Sequence, residues 1–121
     1  MSEQRVFFFD KMNPAIRDLP DNSGQVVGRW IIERDKPMTE NSRFSGVGVN
    51  QLMPNSVIPW HPHPTDEEVY FFVSGNGFYV DNGKVKHPVK CGDAAVCLKG
   101  EGHGLENPGP EPLLFVAVIA K

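Results

Sequence analysis

The chain of 121 residues has little of what most function classes need. Two cysteines, Cys91 and Cys97, are too few for a disulfide scaffold, and their spacing is not that of a zinc knuckle or a redox pair, so both read as reduced thiols. No run approaches the roughly 20 apolar residues of a membrane span, and the apolar stretch 6–9 near the start is too short for the core of a secretory signal. A soluble, cytoplasmic protein is expected. Basic residues do not dominate. Twelve Lys and Arg against fifteen Asp and Glu leave a formal charge of −3, with no basic cluster, which opposes a polyanion and excludes nucleic acid as the natural partner. Long helices are also missing, because eleven prolines and twelve glycines leave few segments longer than about ten residues free of both.

What remains is an all-β pattern at the length of one domain. Runs rich in Val, Ile, Phe and Tyr predict strands over 25–33, 45–53, 56–63, 68–73, 77–80, 84–89, 94–98, 103–106 and 113–120. Turn residues separate them, as in Ser74-Gly75-Asn76-Gly77, Asp81-Asn82-Gly83 and Cys91-Gly92-Asp93. Many short strands at this spacing imply a sandwich or a closed barrel over residues 25–121. Residues 1–24, with Asn13-Pro14 and Leu19-Pro20-Asp21, read as an N-terminal arm of loop or a single helical turn. The strands 69–73 and 113–120 carry apolar residues on both faces and need a cover on each. The interior supplies one. A second subunit is the expected source of the other, giving a homodimer, and packing of Phe7, Phe8 and Phe9 over the outer face is the alternative.

The chemistry concentrates in His61-Pro62-His63-Pro64-Thr65-Asp66-Glu67-Glu68. Residues two apart on a strand share a face, so His61 and His63 present two imidazoles side by side. Prolines 62 and 64 cannot donate to a sheet ladder, which places the pair at a strand end or edge. Glu68 opens the next strand, where a carboxylate can join them. His103, among glycines 100, 102 and 104, is a fourth candidate. Three imidazoles and one carboxylate suit one divalent transition metal such as iron, manganese, nickel, zinc or copper, not calcium or magnesium.

This arrangement resembles the two motifs of the cupin superfamily, G-x5-H-x-H-x4-E-x6-G and G-x5-P-x-G-x2-H-x3-N. The first falls on Asn55, His61, His63, Glu68 and Gly75, and the second on Gly92, Leu98, Gly100, His103 and Asn107. Asn55 replaces the leading glycine and Leu98 the proline. Asparagine tolerates positive φ, so the first change is mild; the second removes a rigid turn element but no ligand. The resemblance implies a single-domain jelly-roll barrel, metal ligands His61, His63, Glu68 and His103, frequent dimers and a site at the barrel centre. Its spacing to Gly75 selects Glu68 over Glu67. It does not fix a reaction.

With Glu68 inward, Tyr70 and Phe72 follow it, giving an aromatic wall with one hydroxyl. Tyr70 and Glu101 are the candidate catalytic acid–base groups, with a solvated turn glutamate as the ordinary reading of Glu101. Phe72 and Gln51 are candidate substrate contacts, Phe72 doubling as core filling. Tyr79 and Trp60 read as barrel packing and rim cover. Arg29 and Lys99 are candidate anion binders, and His87 a solvated histidine. The expected function is a metal-dependent enzyme acting on a small oxygen-bearing molecule (an organic acid, a diketone or a sugar derivative) as dioxygenase, isomerase, lyase or decarboxylase. A non-catalytic module binding a small molecule or a metal is the alternative.

Overall fold

The computed structural model describes residues 4–121 and contains ten strands: β1 (Ala15–Asp18), β2 (Gln25–Ile32), β3 (Phe44–Leu52), β4 (Ser56–Pro62), β5 (Glu67–Ser74), β6 (Asn76–Val80), β7 (Lys86–Lys90), β8 (Ala94–Cys97), β9 (Gly102–Asn107) and β10 (Leu113–Ala120). The described helical content is two single turns, Phe9–Lys11 and Pro20–Asn22, neither long or apolar enough to cross a membrane. All pairings are antiparallel. A six-stranded sheet runs β1-β2-β3-β10-β5-β8, and a four-stranded sheet β4-β9-β6-β7 faces it in a jelly roll.

Alternation along the regular stretches of β3, β10 and β5 divides the large sheet into two faces. Residues opposite each other on paired strands point the same way, so the inner face reads in cross-strand rows: Leu52 with Leu113, Asn50 with Phe115 and Phe72, Gly48 with Ala117, Tyr70 and Ala95. Phe72, Phe115, Leu52, Leu105 and Leu113 fill the core between the sheets. The next inner row, Gly46, Ile119, Glu68 and Cys97, carries a carboxylate into the interior. On the outer face, the rows Val47–Val118–Val69–Val96 and Val49–Val116–Phe71–Ala94 are apolar across four strands.

The N-terminal segment departs from its expected role as an arm alone. Ala15–Asp18 pairs with β2 and extends the large sheet by an edge strand, so the barrel begins within the first 24 residues; residues 1–3 lie outside the described residues. The strand escapes the sequence pattern because all four residues are exposed and no apolar alternation marks them.

One irregularity positions the site. Ser56 and Ile58 face inward on β4, and unbroken alternation would then turn residues 60 and 62 inward. The pairing of β4 with β9 shifts register between Ile58 and His61, next to Pro59. The bulge changes the parity, so that Trp60 lies outside and His61 and His63 turn in. Trp60 then packs over Gly102, where an added Cβ would come 2.2 Å from the indole, and His61 comes opposite His103.

Candidate metal centre

His61 and His63 stand at the end of β4, His103 on β9 and Glu68 on β5, so both sheets contribute. The four side chains bring one ligand atom each within 4.8 Å of one another. Each imidazole is aimed by a contact at Nδ1. His61 Nδ1 donates to the Pro59 carbonyl at 2.8 Å, His63 Nδ1 donates to the Asp66 carboxylate at 2.6 Å, and His103 Nδ1 meets the Tyr79 hydroxyl at 2.9 Å. These partners fix the rings and leave Nε2 as the free nitrogen of each.

Three of the ligand atoms form a tight triangle: His63 Nε2 to His103 Nε2 is 3.1 Å, and Glu68 Oε1 lies 3.2 and 3.0 Å from the same two nitrogens. For metal–ligand bonds of roughly 2.1 Å, ligands at right angles sit about 3.0 Å apart and tetrahedral ones about 3.4 Å. The three edges therefore fit adjacent corners of a six-coordinate shell, whereas the widest separation in the set, 4.8 Å, exceeds the roughly 4.2 Å across such a shell, so His61 joins it only by moving inward. Glu68 is 2% exposed, and its buried Oε1 has no well-aligned hydrogen bond, only the two ring nitrogens beside it. A buried carboxylate oxygen left orphaned between two imidazoles is the mark of a place for a cation.

The electrostatics agree. Burial raises the Glu68 carboxyl, but the adjacent His103 and His63 rings outweigh it and lower the pKa to about 2. The Glu68 carboxylate raises His63 above the usual imidazole value; burial opposes this and Asp66 adds to it. His61 moves the other way, lowered mainly by burial. Cys97, beside Glu68 on β8, is pushed up to about 11 by burial and nearby carboxylates, so it stays a neutral thiol.

Around this cluster the predicted residues take different places. Tyr70 is buried, stacks on His103 with ring centroids 4.8 Å apart, and lines a small interior cavity with Glu68, Asn50 and Trp30. Burial and then Glu68 hold its phenol well above the ordinary value. Phe72 is fully buried with its ring edge-on to Tyr70. Glu101 folds back on its own turn, its carboxylate accepting the Leu98 N–H at 2.9 Å. Gln51 lines a separate surface cleft with Ser74, Asn76 and Glu111, and its neighbour Asn50 takes the inward position. Arg29 lies on the Phe9 ring at 4.2 Å, and His87 pairs with Asp81 at 2.8 Å. Sequence reasoning missed Asp66 and the role of Tyr79. Asp66 had a usable signal, an acid three residues after His63 in a tight turn; Tyr79 had only its parity on a short strand.

The motif positions are equally specific in space. Asn55 adopts φ +59°, the left-handed conformation that the glycine it replaces would supply. Gly75 is left-handed at φ +88°, and an added Cβ would meet the Pro112 carbonyl at 2.4 Å. Asn107, buried, donates to the carbonyls of Leu52 and Glu111 and accepts from the Gly109 N–H, tying three segments together. Residues 48–119 match the cupin domain family.

The chain belongs to the cupin family.

This cupin is 41% identical over 104 residues to a Thermotoga maritima protein named oxalate-binding protein, an overlap of 86% of this chain and 83% of the relative. It is 31% identical over 111 residues to protein SchB of Streptomyces halstedii, covering 90% and 73% of the two chains. The crystal structure of a Thermotoga maritima protein described as a predicted oxalate decarboxylase superposes with a TM-score of 0.84 at 27% identity, covering 96% of this cupin and 98% of that chain.

Proposed function

We propose that this cupin holds one divalent transition metal, iron, manganese, nickel or zinc, on His61, His63, Glu68 and His103, and acts as a metal-dependent enzyme on a small organic acid. The observation that carries the reading is the gathering of one ligand atom each from His61, His63, Glu68 and His103, with Glu68 also lining a cavity beside Tyr70. A bound metal would polarise substrate oxygens and stabilise negative charge developing on them. Tyr70, protonated throughout the neutral range, offers an O–H to a substrate oxygen and does not act as a base. Phe72 backs the Tyr70 ring and limits its tilt. Glu101 holds the Leu98 N–H through Oε1, which leaves Oε2 to move a proton. The relative named for oxalate binding makes oxalate the first acid to test. Decarboxylase, lyase, isomerase and dioxygenase chemistry share this set of ligands.

The relative named for oxalate binding also supports a second reading, capture of the acid without turnover. Oxalate titrated into protein loaded with each metal in turn, with carbon dioxide, formate and oxygen uptake followed, separates the two. Product at many turnovers per site establishes the enzyme; tight binding without product establishes the binder. If elemental analysis finds stoichiometric metal in both Glu68→Gln and His103→Ala, the site is not where we place it.

The homodimer belongs to the same proposal. The N-terminal arm sets Phe9 under Arg29 at the β2 end of the outer face, and Phe7 lines one cleft with Ile31 and Ile32. Phe71 and Val96 at the β5–β8 end remain 48% and 57% exposed. Because the arm covers one end of the apolar rows and not the other, a second copy is the occupant we assign to the remainder.

A further inference from the structure

The cavity at Glu68 and Tyr70 has a volume of about 20 Å³, room for about one water. It shares Arg17, Val26, Trp30, Arg34 and Asn50 with a cleft of about 340 Å³ that opens to the surface. Two of these five residues are arginines, brought there from separate parts of the chain. Arg17 sits on the edge strand β1 directly opposite Val26, a core residue, and opposite residues share a face; Arg17 is thereby turned toward the inner side of the sheet. Arg34 follows the end of β2, and its guanidinium lies 5.6 Å from the Trp30 ring centroid. The indole rests on the inner face over Gly28 and Gly48, where an added Cβ would approach it to 2.7 Å in each case. Two glycines thus make the bed for an aromatic plate that orients one of the cations.

Neither guanidinium has a carboxylate within salt-bridge distance among the described residues. The nearby acids are committed elsewhere: Glu33 to Lys36 at 2.9 Å and Asp18 to Gln25 at 2.9 Å. Glu33 lines the same cleft but its carboxylate is held by Lys36, so the two arginines leave a positive mouth on a protein of negative net charge. Their planar donor forks suit carboxylate oxygens.

We propose that Arg17 and Arg34 form an anion-recognising mouth that takes one carboxylate of a small dicarboxylate whose other end lies beside Glu68 and Tyr70. The inference rests on the organic-acid reading above and adds its selectivity: the substrate carries a second negative group beyond the one beside Glu68, and these two residues choose it. They replace Arg29 and Lys99 as the anion binders.

Calorimetric titration of manganese-loaded protein with oxalate, malonate and succinate, and with malonamide as the uncharged control, tests this. Arg17→Gln and Arg34→Gln should each weaken the best dicarboxylate at least tenfold and the double variant at least a hundredfold, with manganese content by elemental analysis unchanged. Arg29→Gln should bind as wild type does. If the double variant binds within twofold of wild type, the mouth is overturned while the organic-acid reading stands. Absence of dicarboxylate binding by wild type overturns both. Arginine-dependent binding that persists in metal-free protein upholds the mouth and removes the metal from the binding step.

Discussion

Replacing Asp66 separates the two things its carboxylate does for His63: it accepts a hydrogen bond from Nδ1 at 2.6 Å, and it places a negative charge behind the ring. Asp66→Ala removes both, and Asp66→Asn keeps an acceptor but not the charge. Outer partners of metal-bound imidazoles typically matter 10- to 100-fold in metal affinity, about 1.4 to 2.7 kcal/mol. The short contact and the nearly buried His63 place Asp66→Ala toward the upper part of that range, at about 50-fold, and Asp66→Asn near its foot, at about tenfold. A proton effect runs against the loss. Glu68 first, and Asp66 after it, raise the His63 pKa in the metal-free state, so removing Asp66 makes His63 less basic and eases proton competition for the site. The affinity deficit of Asp66→Ala should therefore be largest near pH 8 and shrink toward pH 6. Competition with a chromogenic chelator across that range measures it directly. An Asp66→Ala affinity within twofold of wild type at pH 8 would refute the claim that this carboxylate orients a metal ligand, and a deficit growing toward low pH would refute the proton argument.

Three other outcomes follow from the same structure. Asn107→Ala leaves the Leu52 and Glu111 carbonyls and the Gly109 N–H without their partner, which should cost about 2 to 4 kcal/mol in denaturant unfolding while metal content stays at wild-type level; equal loss of metal would make Asn107 part of the site. In metal-free protein, His63 should titrate above and His61 below the ordinary 6.5, resolved as separate imidazole proton shifts in NMR; the His63 contribution to stability is then present below pH 6.5 and fades as pH rises through its raised value, and coincident titrations would contradict this. Phe71→Asp, in the exposed end of the outer apolar rows, should convert the proposed dimer to monomer in sedimentation without unfolding it, and a wild type that sediments as a monomer would remove the dimer altogether.

The cluster of candidate ligands was legible because strand parity and turn spacing are local: His61 and His63 two apart, Glu68 across one tight turn, His103 in a second motif of matching spacing. The geometry that makes the parity work was not. Counting by twos from Ser56 and Ile58 turns residues 60 and 62 inward, and only the bulge beside Pro59 restores His61 and His63 to the interior. Proline inside a strand is itself a bulge signal, and Pro59 carried it as plainly as Pro62 and Pro64. Strand β1 was illegible for a different reason: its four residues are all exposed, and its place is set by pairing with β2. Arg17 and Arg34 converge only because that edge strand and the end of β2 meet over the cavity, a long-range relation that no window of sequence contains.

The departure at Leu98 bears on the chemistry more than a missing ring suggests. A proline there would stiffen the turn through its fixed φ and would have no N–H. Leucine keeps the N–H, and Glu101 accepts it at 2.9 Å while the Glu101 N–H bonds to the Leu98 carbonyl at 2.9 Å, so the turn is closed from both sides by hydrogen bonds. The Glu101 carbonyl in turn accepts the His63 N–H at 2.8 Å, which couples that turn to a metal ligand. Glu101 therefore replaces covalent rigidity in this turn through one carboxylate oxygen, Oε1, and the other oxygen keeps its lone pairs for a proton. Turnover that depends on Glu101 would run through Oε2 with the turn shut; capture of an acid needs no proton carrier. Glu101→Gln keeps an acceptor for the Leu98 N–H but removes the proton carrier, and the enzymatic and the binding readings of the site physically diverge on its effect.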